Sequence, residues 1–267
     1  MATLTGANTT AQWFADNFSS SVFSRLEKFV PHTTETGSRT SVGWPGYSGG
    51  ASAPNATYDP RGRTIRQHFS NNESSRALKD PSGTAVRENR DNVFQLEIIC
   101  YSQKSLAVER GGLWVGNLTP ANYQDLAKIV EQLNRELDLP LQSSVTWGTW
   151  TNGTPSSIRL SGPQYDAYKG ILGHMHVSGN SHWDPGAFSW TKLEAAITGS
   201  GEDFVTTQAE FNSLMSTWWN SKLNPLNGSQ VNVPPELRNL RVAPWHQLLG
   251  AGPLNMHGVM GELLLST

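Results

Sequence analysis

The chain has a single cysteine, Cys100, in 267 residues, and it has no run of like charge and no long apolar stretch. One thiol excludes an internal disulfide framework and fits synthesis in a reducing compartment. The 20 basic and 22 acidic residues leave a formal charge of -2; without a basic stripe, the electrostatic footprint of a nucleic-acid partner is missing. No window approaches the roughly 18 apolar residues that cross a bilayer, and Met1 to Phe18 lacks the basic start and apolar core of a secretory leader. The expectation is a soluble protein made in a cytosol, with neither nucleic acid nor membrane insertion in its repertoire. No internal repeat is found.

Tryptophan and glycine are abundant, with 10 and 25 copies. Tryptophan offers a flat apolar face with one polar edge, which suits sugar-like or peptide ligands, although core packing accounts for most such residues. The length allows one generous domain, or one of ordinary size with an appendage.

Periodicity supplies the elements. Leu26 to His32 reads as a short strand, with Pro31 marking its end or an exposed edge. Thr33 to Pro60, rich in Thr, Ser, Gly and Pro, reads as a long surface loop. Gly62 to Phe69 reads as a turn and strand, and Val93 to Tyr101 as a clearer strand. Alternation there places Glu97 with Gln95 and Ile99, and Cys100 with Leu96 and Ile98, which assigns Cys100 to the core. A charged Glu97 among apolar strand residues is costly without a partner, so either a nearby cation or an exposed edge strand accounts for it. Thr119 to Leu137 is the best helix: Thr119 caps it, Pro120 occupies its first turn, and Tyr123, Leu126, Val130, Leu133 and Leu137 recur at three and four. A capping box at Thr207 and Glu210 starts a second helix. Residues 224–235 read as loop.

The most informative segment is Gly173 to Gly186, which packs His174, His176, His182 and Asp184 into eleven residues. Imidazole nitrogen and carboxylate oxygen are first-choice zinc ligands, and a catalytic zinc takes three protein ligands while keeping a fourth position open. In an extended segment His176 would point the same way as His174, which makes it a rival third ligand. His68, His246 and His257 have no spacing that argues for metal.

Together with His32 at the end of the first strand, and Asn92 and Glu97 in the later one, these residues resemble an ordered set of family motifs. FVPHTTE, GRTIRQHF, DNVFQLEII and GHMHVSGNSHWDPGAFSW are similar, in that order, to the strands and closing Gly-His to Asp-Pro-Gly stretch of the zinc-dependent N-acetylmuramoyl-L-alanine amidases, the type 2 amidase and peptidoglycan recognition protein family. The resemblance covers roughly residues 20–195. It implies an α/β fold with a central mixed β-sheet flanked by helices, a zinc amidase catalytic domain over 1–198, and a mainly helical or irregular extension over 199–267. Residue by residue it makes His32, His174 and Asp184 the Zn2+ ligands, Glu97 the general base and acid, and His182 a helper of the polarised carbonyl where relatives carry Lys or Thr. Two imidazoles and one carboxylate leave a net positive site, which suits water activation near neutral pH. The implied activity is hydrolysis of the amide between N-acetylmuramic acid and L-alanine of bacterial peptidoglycan; the lack of a secretory leader, with polar Gly- and Thr-rich loops, fits a phage endolysin that waits in the host cytoplasm and then acts on the wall, with a cytosolic recycling amidase or an autolysin exported otherwise as the other settings. The alternatives on the same fold are a peptidoglycan-binding module that does not cut and a virion-associated wall-penetrating protein. The loop from Trp44 to Gly50 and the stretch from Trp147 to Thr154 are expected to border the substrate groove.

Overall fold

The computed structural model describes residues 2–18, 20–79, 88–89, 92–148 and 156–199. The expected helix at Thr207, the loop at 224–235 and, beyond Gly199, the proposed extension lie outside these residues.

Five strands form one sheet: β1 (Lys28–Thr33), β2 (Ala56–Asp59), β3 (Thr64–Gln67), β4 (Val93–Ile98) and β5 (Gly170–Ile171), in the spatial order β3-β2-β4-β1-β5. All neighbours are parallel except β2 and β3, which pair antiparallel across a tight turn. The expected α/β class with a central mixed sheet is therefore what the chain adopts. Four α-helices accompany it: α1 (Lys104–Glu109), α2 (Pro120–Leu137), α3 (Gly162–Ala167) and α4 (Trp190–Ile197).

Two sequence expectations change. Pro31 is neither a strand end nor exposed; it is buried within β1, in register with Leu96. Odd-numbered residues of β1 face β5, as the bond from Leu172 N–H to the Phe29 carbonyl shows. Since β5 stops at Ile171, the N–H that Pro31 lacks has no ladder partner to lose. The loop expected from Thr33 to Pro60 ends earlier, because Ala56–Asp59 is a buried strand. Its Ala-Thr-Tyr-Asp sequence lacks the apolar run that announces a central strand, since Thr57 and Asp59 face polar surroundings.

Helix α2 begins where expected. The Thr119 hydroxyl accepts from the Asn122 N–H at 3.2 Å, and the Asn122 side-chain oxygen accepts from the Thr119 N–H at 2.9 Å, so two orphan amides are satisfied together. Asp138 closes it in the left-handed region at φ 54°. Leu126, Val130 and Leu133 are buried against Phe29, Phe94, Leu96, Ile98 and Cys100, each worth about 1.5–3 kcal/mol of burial. Helix α4 packs beside α2 on this face. The opposite face carries a smaller apolar cluster, with Val30 and Val93 packed against Tyr165 of α3. It also carries the polar residues Gln95, Glu97 and His32. Cys100 lies in the large cluster, as alternation predicts, and β4 is central in the sheet, which removes the exposed-edge account of Glu97.

Candidate metal centre

The parallel strands β1, β4 and β5 deliver their C-terminal ends to one place, where open α/β sheets characteristically bind ligands. His32, the penultimate residue of β1, stands opposite Glu97 of β4 in the ladder. His174 follows β5 at the start of a short 3-10 turn, His174–His176. Asp184 returns to it: the Met175 N–H donates to the Asp184 carbonyl at 2.8 Å. Two glycines let these segments meet. A Cβ at Gly173 would lie 2.6 Å from Pro185 Cδ, and one at Gly186, whose φ is +58°, would lie 2.6 Å from the Ser102 carbonyl oxygen.

His32, His174 and Asp184 are all buried and form a group able to hold a metal ion. The His32 and His174 Nδ1 atoms are 3.1 Å apart. The Asp184 carboxylate spans both, with Oδ2 at 3.3 Å from His32 Nδ1 and Oδ1 at 3.2 Å from His174 Nδ1. Donor atoms at the corners of a tetrahedral zinc site, with bonds of about 2.0–2.1 Å, are roughly 3.3–3.4 Å apart. The geometry therefore fits a small cation; without one, the same two nitrogens are at hydrogen-bond distance, one ring donating its Nδ1–H to the other.

The electrostatics follow from burial and crowding. Burial pushes the His174 imidazole down to about 4, with the Asp184 charge opposing it. Burial pushes the Asp184 carboxyl up, but His174, His182 and His32 outweigh it and hold it well below the usual carboxylate range. Glu97 moves the other way: burial raises it well above its ordinary value, helped by the charges of Asp184 and Glu35. Its Oε2 is enclosed and has no hydrogen-bond partner, as is His32 Nε2. An enclosed carboxyl oxygen without a partner, in a group whose pKa burial and negative neighbours raise, is suited to a cation or a polar ligand.

His182 is brought to this group, although it is exposed. Its ring stacks on His174 at 4.3 Å and 11°, and its Nδ1 lies 3.5 Å from Asp184 Oδ1. The bond to Asp184 raises its pKa against the opposing effect of desolvation. His176 is not brought in. Its Nδ1 accepts from the Gly173 N–H at 2.9 Å and its Nε2 donates to the Thr146 carbonyl at 3.0 Å, so both nitrogens are occupied. The extended conformation that made it a rival ligand is replaced by the 3-10 turn, which rotates it away from His174. Trp147, partly buried, packs against the large cluster and edge-on to His176 at 5.0 Å. Residues 149–154 lie outside those described.

Sequence reasoning passed over Arg159 and Glu35, and reached Tyr47 only as part of the Trp44–Gly50 loop. Arg159 donates to the Val177 carbonyl at 3.3 Å, to Asn180 Oδ1 at 2.8 Å and to the His182 carbonyl, which clamps the loop between His174 and Asp184. Glu35 Oε1 accepts from Thr33 Oγ1 at 2.7 Å and from the Ser102 N–H at 2.9 Å. Tyr47, in the glycine-rich loop, places its hydroxyl 2.6 Å from Thr57 Oγ1, and Thr57 pairs with Glu97 across the β2–β4 ladder. Nothing in the spacing of these residues announces the site, because each reaches it through a loop.

No family model matches the chain, and no curated protein sequence is significantly similar to it. Among solved structures, the Staphylococcus aureus hydrolase AmiA in complex with its ligand is similar at a TM-score of 0.38 and 15% sequence identity, over 74% of this chain and 82% of that one. The case for function accordingly rests on the chemistry of the site.

Proposed function

We propose that the protein is a zinc-dependent amidohydrolase that cleaves the amide between N-acetylmuramic acid and L-alanine of peptidoglycan. The observation that carries this reading is the convergence of His32, His174 and Asp184 at 3.1–3.3 Å beside Glu97, whose Oε2 is enclosed and has no hydrogen-bond partner. A structural metal site is closed by four ligands, whereas three ligands and a neighbouring free carboxyl make a hydrolytic one.

In this reading, His32 Nδ1, His174 Nδ1 and the Asp184 carboxylate hold the ion. Zinc, when bound, supplies Lewis acidity, polarising a carbonyl and making water acidic enough to react near neutral pH. Glu97 takes the proton of the attacking water on its Oε2 and returns it to the departing amide nitrogen. A neighbouring cation opposes the effect of burial on Glu97 and favours its charged form, which can accept a proton and later release it. His182, more basic than an ordinary imidazole, offers an N–H to the oxygen that gains charge. Arg159 holds the loop that carries it. The substrate class is the one the sequence resemblance implies, and the endolysin setting, in which the protein passes from host cytoplasm to the wall, is the one the sequence reading favours.

The test is to digest purified peptidoglycan and identify the new ends. Free L-alanine amino termini that appear only with zinc support the proposal. New reducing sugars would replace it with a glycosidase, and binding without cleavage would replace it with a recognition module.

A further inference from the structure

A second polar assembly runs beneath the same end of the sheet. The Tyr47 hydroxyl is 2.6 Å from Thr57 Oγ1, Thr57 Oγ1 is 2.9 Å from His68 Nε2, and His68 Nδ1 is 2.8 Å from the Gln12 carbonyl oxygen. Thr57 and His68 are fully buried. The His68 ring lies between Phe14, stacked at 5.6 Å, and Tyr47, edge-on at 5.2 Å.

The order of hydrogens along this chain follows from its far end. A carbonyl oxygen only accepts, so His68 Nδ1 carries the proton. Burial lowers this imidazole to about 4, the bond to Gln12 opposing, so the ring is neutral near pH 7 and its Nε2 is a bare acceptor. Thr57 must therefore donate to Nε2, and its oxygen accepts from Tyr47. The one phenolic proton of Tyr47 is committed inward, and its oxygen presents a lone pair on its other side. Glu97 is close to that hydroxyl: Thr57 and Glu97 are register partners on one face of the sheet, and the Tyr47 pKa is raised by burial first and by the Glu97 charge second. The backbone adds a second sign. Tyr47 and the following Ser48 sit in the left-handed region, at φ 49° and 50°, a conformation that a bulky residue keeps only where its surroundings enforce it and that clusters at functional sites.

The geometry points to Tyr47 as a substrate-binding residue that acts as a hydrogen-bond acceptor, taking an N–H from the peptide part of the substrate, with Thr57 and His68 as positioning residues that fix the direction of its hydroxyl. This rests on the reading of the adjacent centre as a muramyl-peptide hydrolase. A phenol arranged in this way cannot deliver a proton to the leaving amine without breaking its 2.6 Å bond, so proton transfer stays with Glu97. Tyr47 selects for amide N–H groups.

The test has three arms, all on the zinc-loaded full chain. Long-range 1H–15N spectra at neutral pH should find His68 in its Nδ1–H form; an Nε2–H form would reverse the chain, make Tyr47 a donor and overturn the proposal. In kinetics, Tyr47→Phe should raise KM about three- to tenfold, the worth of one neutral hydrogen bond, with kcat unchanged. Thr57→Val should do the same and Thr57→Ser should restore the original KM. A fall in kcat at constant KM, or no change in either, overturns the assignment. Calorimetric titration with a soluble muramyl tripeptide separates the two readings. If nothing is cleaved but the peptide binds more weakly to Tyr47→Phe than to the unsubstituted chain, the hydrolase reading falls and this one stands. If cleavage is normal and both forms bind equally, this one falls alone.

Discussion

The two faces of the sheet share every strand and differ in what they tolerate. On the α2 face, β4 contributes Phe94, Leu96 and Ile98, all fully buried in one continuous apolar cluster with α2 and α4. On the other face the same strand contributes Gln95 and Glu97, the latter with an enclosed oxygen that no hydrogen bond satisfies. Adjacent residues thus meet opposite demands: one face is satisfied by burial alone, and the other is complete only when something binds. The first face holds the second in place, since a shift of one residue in β4 would exchange them.

The comparison can be broken first at the ligands. His174→Ala should abolish zinc retention and lower turnover on the order of a thousandfold or more, because several kcal/mol of charge stabilisation leave with the metal; metal content and turnover measured together check this, and full activity without bound zinc would end the metal reading. Glu97→Gln should keep the metal and lower kcat by about 10²–10⁴, the usual contribution of a general base, with melting temperature unchanged or raised because a buried carboxyl has been neutralised. On the helix face, Leu133→Ala should cost about 2–5 kcal/mol in denaturant unfolding while leaving kcat per folded molecule and zinc affinity unaltered; a matching loss of zinc affinity would show that the faces are not separable. The smallest expected effect belongs to His68. Its folded pKa of about 4 lies below the ordinary 6.5, so the unfolded chain takes up a proton that the folded one refuses. Stability is complete above about pH 6.5 and declines by up to about 3 kcal/mol as the pH falls toward 4. His68→Gln should remove that slope from the pH dependence of unfolding.

Much of this was legible in sequence wherever period and chemistry coincide. Strand alternation separated Cys100 from Glu97 and helical spacing bounded α2, since both rest on geometry that repeats within a single element. The cluster from His174 to Asp184 announced metal because its donors are close in the chain. What stayed hidden was set by contacts between elements. The turn that turns His176 aside depends on Gly173 and Thr146, the burial of Thr57 depends on β4, and the arrival of Tyr47 depends on a loop whose composition reads as surface. Pro31 misled for the opposite reason: a local rule about proline was relaxed by a neighbouring strand that stops two residues early.

The β1–β5 ladder pairs only Lys28 and Phe29 with Gly170 and Ile171, yet His32 and His174 sit just beyond it, 142 residues apart in sequence. A metal held there, as proposed, would work as a cross-link as well as a reagent, tying the edge of the sheet beyond the β1–β5 ladder. An ion bound only by the folded chain adds about 2.7 kcal/mol when present at a hundred times its dissociation constant. Under the proposed function the thermal midpoint of the protein would become a gauge of zinc supply: a chain starved of the ion would lose its chemistry and the fastening of that edge together.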